Sequence, residues 1–98
     1  MTPINRKEYP VARGLFAYFP DALMEVAHIS LKSNEKHNPG EELHWAREKS
    51  TDDADALLRH LIDRARGETI DPDDGLRHSA KAAWRALAVL QKELEQNK

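Results

Sequence analysis

Residues 71–95, DPDDGLRHSAKAAWRALAVLQKELE, contain the longest helical pattern in this 98-residue chain. Asp71 is a suitable N-cap, Pro72 suits the first helical position, and Asp74 occupies the place of a capping-box acid. Apolar residues then recur at helical spacing to near the C-terminus. These positions are Leu76, Ala80, Ala83, Leu87, Leu90 and Leu94. The pattern predicts a helix over residues 72–95 that buries one face.

The chain begins with a segment, residues 1–19, that is broken by Pro and Gly and has no sustained period. We predict an irregular arm here. An apolar cluster within it comprises Leu15, Phe16, Tyr18 and Phe19. This cluster is expected either to fold over the helices or to dock on a partner subunit, because so much apolar surface is rarely left in water. Pro20 and Asp21 then suit a helix start, which predicts a helix over residues 21–34.

A second helix is predicted over residues 51–66. Ser50 and Asp53 have the spacing of a capping box, and Gly67 is a suitable residue to follow the helix. Its apolar stripe comprises Leu57, Leu58, Leu61, Ile62 and Ala65. Between the first two helices lie residues 35–49, a loop rich in His, Trp, Arg and Lys. Loops of this length are uncommon in compact domains and often carry function.

The composition predicts one small domain over residues 1–98, an all-α bundle of three main helices. Hydrophobic residues make up 40% of the chain and charged residues 33%, which is typical of a globular protein. Because so short a chain buries a modest core, we expect oligomerisation to complete it. Cysteine is absent, which excludes disulfides and thiolate ligands. No signal peptide or membrane span is apparent, so a cytoplasmic location and no membrane partner are predicted.

Two acidic pairs have the spacing that helical pyrophosphohydrolases use to hold Mg²⁺, which neutralises charge on phosphate oxygens. They are Asp52-x-x-Asp55 and Asp71-x-x-Asp74. Both pairs also lie at predicted helix starts, where acids are favoured without any metal. The spacing leaves both interpretations open.

Basic residues are abundant for a chain of net charge −2. They are Lys36, Arg47, Lys49, Arg59, Arg77, His78, Lys81 and Arg85. If the second and third helices pack antiparallel, Arg59 and Lys81 can converge and bind a phosphate-bearing ligand, with Trp45 available to stack on a base. The alternative is a solvated face in which Asp55 pairs with Arg59 along one helix. Trp45 can likewise serve to plug the loop into the core.

Several functional classes are disfavoured. The acidic net charge and the lack of a recognition helix argue against duplex DNA as a partner. No nucleophile elbow accompanies Ser50 or Ser79, and no phosphate-binding glycine loop is present.

Three stretches resemble one known family: KHNPGEELHW at residues 36–45, REKSTDDADALLRHL at 47–61, and DDGLRHSAKAAWRALAVLQ at 73–91. The resemblance is to the phage and prophage family of dATP/dGTP diphosphohydrolase N-terminal domains, relatives of the all-α MazG-like nucleotide pyrophosphohydrolases. It covers about residues 21–95. It implies a helical, oligomeric domain with a nucleotide site between helices and Mg²⁺-dependent release of pyrophosphate from a purine deoxynucleotide.

On the hypothesis of a diphosphohydrolase, the metal-binding residues are Asp52, Asp55 and Asp74. The catalytic residues are Asp55, His60 and His78. The nucleotide- and phosphate-binding residues are Lys36, His37, Asn38, Trp45, Arg47, Lys49, Arg59, Lys81 and Arg85. Mg²⁺ is required only if the protein is catalytic.

A second hypothesis follows from two departures from the family pattern. Many relatives have a His and then an Asn where this chain has Lys81 and Arg85, and Asp pairs stand where the wider superfamily has Glu pairs. These differences favour a non-catalytic oligomer that sequesters a nucleotide, one candidate being a cyclic signalling nucleotide of host defence. For a phage protein, that anti-defence role would be exercised in the host cytoplasm. A third hypothesis is a structural subunit whose charged faces set its oligomeric contacts.

Overall fold

The computed structural model describes residues 5–96 and contains three main helices. Helix α1 spans Pro20–His37, α2 spans Asp53–Ala65 and α3 spans His78–Gln96. No β-strand occurs within the described residues, so the predicted all-α fold with three main helices is confirmed. None of the described helices has both the length and the apolar composition needed to cross a membrane.

Helix α3 is the central element and packs against both of the others. Near the start of α3, His78 contacts His60 in the second half of α2, whereas Lys92 near its end reaches Asp53 at the beginning of α2. The two helices are therefore antiparallel. On the other side, Trp84 of α3 donates a hydrogen bond of 2.7 Å from Nε1 to the hydroxyl of Ser30 in α1.

The start of α2 is fixed by a buried carboxylate. Asp53 is 6% exposed and receives hydrogen bonds from Ser50 Oγ at 2.6 Å, Arg85 at 2.7 Å and Lys92 at 2.7 Å. Lys92 also donates to the backbone carbonyl of Ser50. Burial by itself raises the pKa of Asp53, but the hydrogen bonds from Lys92, Ser50 and Arg85 outweigh it and hold the pKa below its usual range. The predicted capping box is thus replaced by an ionic junction between α2 and α3.

The start of α3 differs from the prediction, which placed it at residue 72. The helix begins six residues later, at His78. Asp71 accepts a hydrogen bond from the amide of Asp73, and Asp74 accepts one from the amide of Leu76, each at 3.0 Å. Such side-chain bonds two residues along the chain stabilise turns and compete with helix. Gly75, with φ of +74°, completes the turn.

The apolar stripes predicted to be buried are mostly exposed. In α2, Leu58, Leu61 and Ile62 are 57%, 44% and 50% exposed. In α3, the exposed positions of the stripe are Ala83, Leu87, Leu90 and Leu94. Leu57 of α2 and Leu76, which precedes α3, are half-buried. Among the described residues, the buried hydrophobic side chains are Ile29, Ala56, Ala80, Ala82 and Ala88. Because four of these five are alanines, the helices approach closely but bury little large apolar surface.

The chain is more extended than a folded monomer of its size. Its accessible surface is 7810 Å², whereas the scaling law for monomers gives about 5,700 Å² at this mass. Its radius of gyration is 15.0 Å, against about 12.6 Å for a compact domain of this length. Both differences have the same cause, since the apolar faces of the helices lack a covering layer.

The N-terminal arm contains only short helical turns in its described part, residues 5–19. Residues 1–4 of the predicted arm lie outside the described part of the chain, and the remainder forms a 3₁₀ turn at Arg6–Glu8 and a π-helical turn at Ala12–Phe16 before α1. Tyr18 and Phe19 pack edge to face with ring centroids 6.0 Å apart. The apolar cluster of Leu15, Phe16, Tyr18 and Phe19 is exposed and does not cover the three helices.

We predict that Asp53→Asn lowers the free energy of unfolding at pH 7 by about 2–4 kcal/mol, because it removes the buried charge that Arg85 and Lys92 neutralise. Since folding lowers the pKa of Asp53, its contribution is complete above about pH 4 and is lost as the pH falls through the folded-state value. Urea unfolding from pH 7 to pH 2.5 measures both effects. Asp55→Asn is the matched control, since Asp55 is exposed on the same helix. Equal stability of the two variants at pH 7 would contradict the prediction.

Candidate functional site

A cavity of about 890 Å³ opens between α1, the loop of residues 38–52, α2 and α3. This volume lies within the usual range for small-ligand sites. The loop is anchored by Asn34, a buried residue of α1 whose side-chain amide donates to the carbonyl of Glu41 at 3.1 Å. Asn38 in turn donates to the side-chain oxygen of Asn34 at 3.2 Å. These bonds fold the loop back beside α1, so that it forms one wall of the cavity.

The cavity lining is predominantly basic. Its charged side chains are Lys32, Lys36, Lys49, Lys81, Arg85, Asp52 and Asp74. Three histidines, His37, His44 and His60, also line it. A surplus of cations in a concave surface attracts anions, and fixed Lys and Arg donors suit phosphate oxygens.

Most of these cations already have a carboxylate partner. Lys81 is largely buried and bridges Asp71 at 2.8 Å and Asp74 at 2.6 Å. Burial by itself lowers the pKa of Lys81, but the hydrogen bonds to Asp71 and Asp74 outweigh it and raise the pKa. Lys36 lies 2.6 Å from Asp73 at the exposed rim. Lys81 thereby ties the start of α3 to the preceding turn, and its ammonium is charged at every physiological pH.

Two tryptophans form the apolar part of the lining. The rings of Trp45 and Trp84 meet edge to face with centroids 5.6 Å apart. The guanidinium carbon of Arg47 lies 4.4 Å from the Trp45 ring centroid. Trp45 therefore anchors the loop on α3, as the plug interpretation expected. Its indole Nε1 is buried without a hydrogen-bond acceptor, which is costly for a donor.

A histidine pair connects the cavity wall to the turn that precedes α3. His60 and His78 have their Nδ1 atoms 2.9 Å apart, and His78 Nε2 lies 2.7 Å from a carboxylate oxygen of Glu68. His78 is 2% exposed, whereas His60 lines the cavity. Burial, followed by the nearby charge of Lys81, lowers the pKa of His60, so its ring is neutral at pH 7.

Seven of the nine residues predicted to bind the nucleotide line this one cavity. They are Lys36, His37, Asn38, Trp45, Lys49, Lys81 and Arg85. Lys36 and His37 belong to the last turn of α1 rather than to the loop, because the helix extends three residues beyond its predicted end. Arg47 instead pairs with Glu95 at 3.2 Å. Arg59 is exposed and pairs with Asp52 at 3.3 Å, so it does not converge with Lys81, and the expected Asp55–Arg59 pair does not form.

The three acids predicted to hold Mg²⁺ are not brought together as a free carboxylate cluster. Asp52 and Asp74 line the cavity but pair with Arg59 and Lys81, whereas Asp55 lies outside the lining. Within the described residues, the His and carboxylate groups spaced closely enough to share a cation contain none of these three. Of the predicted catalytic residues, His60 lines the cavity, His78 is buried behind it, and Asp55 is exposed away from it.

Sequence reasoning missed three residues that organise the site. They are Asp53, which was predicted only as part of a capping box, and Lys92 and Glu68, to which no role was assigned. The spacing of Ser50 and Asp53 did signal a helix start, and they do bond to each other. No local pattern signals that Lys92, 39 residues away, completes the junction.

Comparison with known proteins supports one family assignment. No curated protein and no solved structure matches the sequence. A family model does match, over residues 5–98, which is nearly the whole chain. The family suspected from the sequence motifs is therefore confirmed, and the chain belongs to the family described as dATP/dGTP diphosphohydrolase, N-terminal.

Proposed function

We propose that the cavity binds a purine nucleotide through its phosphate groups and that the protein sequesters this ligand without hydrolysing it. The family description supplies the class of ligand. The observation that carries the proposal is the state of the acids: Asp52, Asp53 and Asp74 are each held by Lys or Arg, while cations dominate the lining. Such a surface favours the binding of phosphate over the binding of a divalent cation.

The balance of charge favours a ligand with few negative charges. Lys36, Lys81 and Arg85 each have an acidic partner within 2.8 Å, so much of their positive field is neutralised. A free triphosphate carries about four negative charges, whereas each phosphodiester carries one. A nucleotide with phosphodiester linkages, such as a cyclic signalling nucleotide, therefore needs less compensating charge. This supports the sequestering role over binding of a metal-free triphosphate.

Two donors in the lining lack a partner among the described residues. Lys49 forms no ion pair, and the buried Nε1 of Trp45 has no acceptor. The buried Trp45 N–H is a structural cost of about 1–3 kcal/mol and is closed to a ligand in the cavity. Lys49 is exposed and suits a phosphate oxygen. We assign Lys49 as the most available phosphate contact.

The second candidate function is the diphosphohydrolase activity named in the family description. The specific observation in its favour is His60, a neutral imidazole in the cavity wall that has the protonation state of a general base. Against it, the residues do not fit Mg²⁺ as they stand, because Asp52 and Asp74 would have to leave Arg59 and Lys81. Mg²⁺ would supply charge neutralisation at the phosphates.

We further propose that the exposed apolar face of α2 and α3 packs against a second copy of this chain. The face comprises Leu58, Leu61, Ile62, Leu87, Leu90 and Leu94. The accessible surface exceeds that of a typical monomer by about 2,000 Å², and a stable interface buries about 800 Å² on each partner. One dimer contact would therefore cover less than half of the excess, which leaves the arm available for a further contact.

Binding and turnover are tested together with dATP, dGTP and a cyclic dinucleotide, each in Mg²⁺ or in EDTA. We expect binding that is insensitive to EDTA, weakens with added salt, and returns intact ligand after denaturation of the protein. Trp45 and Trp84 provide a fluorescence signal because both line the cavity. Release of pyrophosphate that is lost in His60→Ala would overturn the sequestering function and support the enzyme.

Lys49→Gln removes a cation from the lining without breaking an ion pair. We expect it to weaken nucleotide binding about five- to twentyfold, as for loss of one charge-assisted contact, with no change in stability. Lys7→Gln on the arm is the matched control and should bind as the wild type does. Equal affinities for the two variants would remove Lys49 from the site.

Leu90→Glu places a charge in the exposed face and should reduce the oligomer to monomers in light-scattering measurements. Met24→Glu introduces the same change on α1, where Met24 is 74% exposed, and should leave the oligomer intact. Self-association increases with protein concentration. A wild-type chain that is still monomeric at about 100 µM would therefore contradict the proposed assembly. Disruption by Met24→Glu alone would instead assign the interface to α1.

A further inference from the structure

A hydrogen-bonded network links Glu68 at the surface to the histidine pair. Glu68, His78 and His60 form a chain of two hydrogen bonds, of 2.7 and 2.9 Å, that runs from the surface to the cavity. His78 is 2% exposed at the first position of α3, and its backbone amide also bonds to the carbonyl of Thr69 at 3.1 Å. Neither imidazole can rotate without breaking a hydrogen bond of this network, so the proton positions of the two rings are coupled.

When both imidazoles are neutral, the carboxylate of Glu68 sets the position of every hydrogen along this hydrogen-bonded chain. A carboxylate can only accept, so His78 must carry its hydrogen on Nε2. A neutral His78 then has a lone pair on Nδ1, and the 2.9 Å contact requires the hydrogen to lie on His60 Nδ1. A neutral His60 with its hydrogen on Nδ1 has a lone pair on Nε2. Free histidine in water prefers the opposite tautomer, so this arrangement depends on Glu68.

We infer that Glu68 and His78 are positioning residues that present Nε2 of His60 to the cavity as a hydrogen-bond acceptor for an N–H or O–H group of the bound nucleotide. The ligand half of this inference rests on the proposed nucleotide binding. Phosphate oxygens cannot donate, so His60 selects for the base or the sugar, whereas Lys49 and the other cations bind the phosphates. Neutral imidazole accepts one bond in a fixed direction, which gives specificity rather than affinity.

One added proton reverses the character of this contact. If it binds His60 directly, Nε2 becomes a donor. If the added proton instead makes His78 the cation beside Glu68, Nδ1–H of His78 donates to Nδ1 of His60. The hydrogen of neutral His60 then lies on Nε2, which is again a donor. The charged and titratable groups facing His60 are Lys81, Arg85, His78, Asp71 and Asp63. Because the pKa of His60 is lowered, the acceptor form is the one present at pH 7.

The tautomers are tested by long-range ¹H–¹⁵N spectra of ¹⁵N-labelled protein at pH 7.5, without ligand. We expect the Nδ1–H form for His60 and the Nε2–H form for His78. Glu68→Gln should move His60 toward the Nε2–H form, because an amide can donate to His78 as well as accept. Asp63→Asn is the matched control: an Asp63 carboxylate oxygen lies within 4.8 Å of one nitrogen of each imidazole but is not hydrogen-bonded to it. An Nε2–H form of His60 in the wild type would overturn the inference.

The ligand contact is tested by affinity. We expect Glu68→Gln to bind about three- to tenfold more weakly than Asp63→Asn at pH 7.5, as for loss of one oriented hydrogen bond. The difference between the two variants should narrow on acidification, because Nε2 of His60 then carries a hydrogen in both. Comparison of dGTP with dITP reports an exocyclic amino donor, and comparison of GTP with dGTP reports the 2′-hydroxyl.

The outcomes separate this inference from the proposed function. Equal affinities of Glu68→Gln and Asp63→Asn at pH 7.5 would mean that the bound nucleotide makes no contact that depends on the tautomer of His60, and would overturn the specificity role. Absence of binding by every nucleotide would overturn the proposed function and the ligand half together. In that case the spectra still decide whether Glu68 and His78 set the tautomer of His60.

Discussion

The structure depends on one buried carboxylate. Asp53 accepts hydrogen bonds from Ser50, Arg85 and Lys92, and so joins the end of the loop, the start of α2 and two turns of α3. A buried charge without partners would cost several kcal/mol, so the stability of the fold depends on these contacts. They fix the relative position of α2 and α3. That position determines where Lys81 and Arg85 stand along the cavity wall.

An ionic junction has this importance because the hydrophobic core is small. Of the five buried hydrophobic residues in the described segment, Ile29 is the one with a large side chain, and the other four are alanines. Alanine contributes little transfer free energy, but it allows two helices to approach closely. The protein therefore combines close packing with charged and hydrogen-bonded contacts inside one chain. Its larger apolar side chains remain on the outer faces of α2, α3 and the arm.

The sequence predicted the helices better than it predicted their faces. Helical periodicity gave three helices because it reflects backbone geometry, which is local. It placed Leu87, Leu90 and Leu94 in the core because periodicity identifies an apolar face without indicating what covers it. The start of α3 was misplaced for a related reason: an Asp-Pro-x-Asp sequence suits a helix cap and an Asx turn equally well, and the glycine at 75 decided for the turn.

The candidate site was predictable in composition but not in its connections. Residue type and family motifs gathered Lys36, Lys49, Lys81 and Arg85, and the fold does bring them to one cavity. The acidic partners of Arg85 and Lys36 could not be found, because Asp53 lies 32 residues from Arg85 and Asp73 lies 37 residues from Lys36. Charge patterns along a helix show which groups share a face. They do not show which of those groups have already been neutralised.

The alanines between α2 and α3 have a consequence for how such a protein can diversify. Ala56, Ala82 and Ala88 are 2–3% exposed, so a larger side chain at any of them would force the helices apart. Substitutions at these alanines therefore cannot adjust the distance between α2 and α3 in small steps. The loop of residues 38–52 is anchored at Asn34 on one side and at Trp45 and Ser50 on the other. Between these anchors, Leu43 and His44 are exposed and line the cavity, so substitutions there can alter this wall independently. Changes of sequence in this part of the loop can therefore reshape the cavity while the helical frame stays constant.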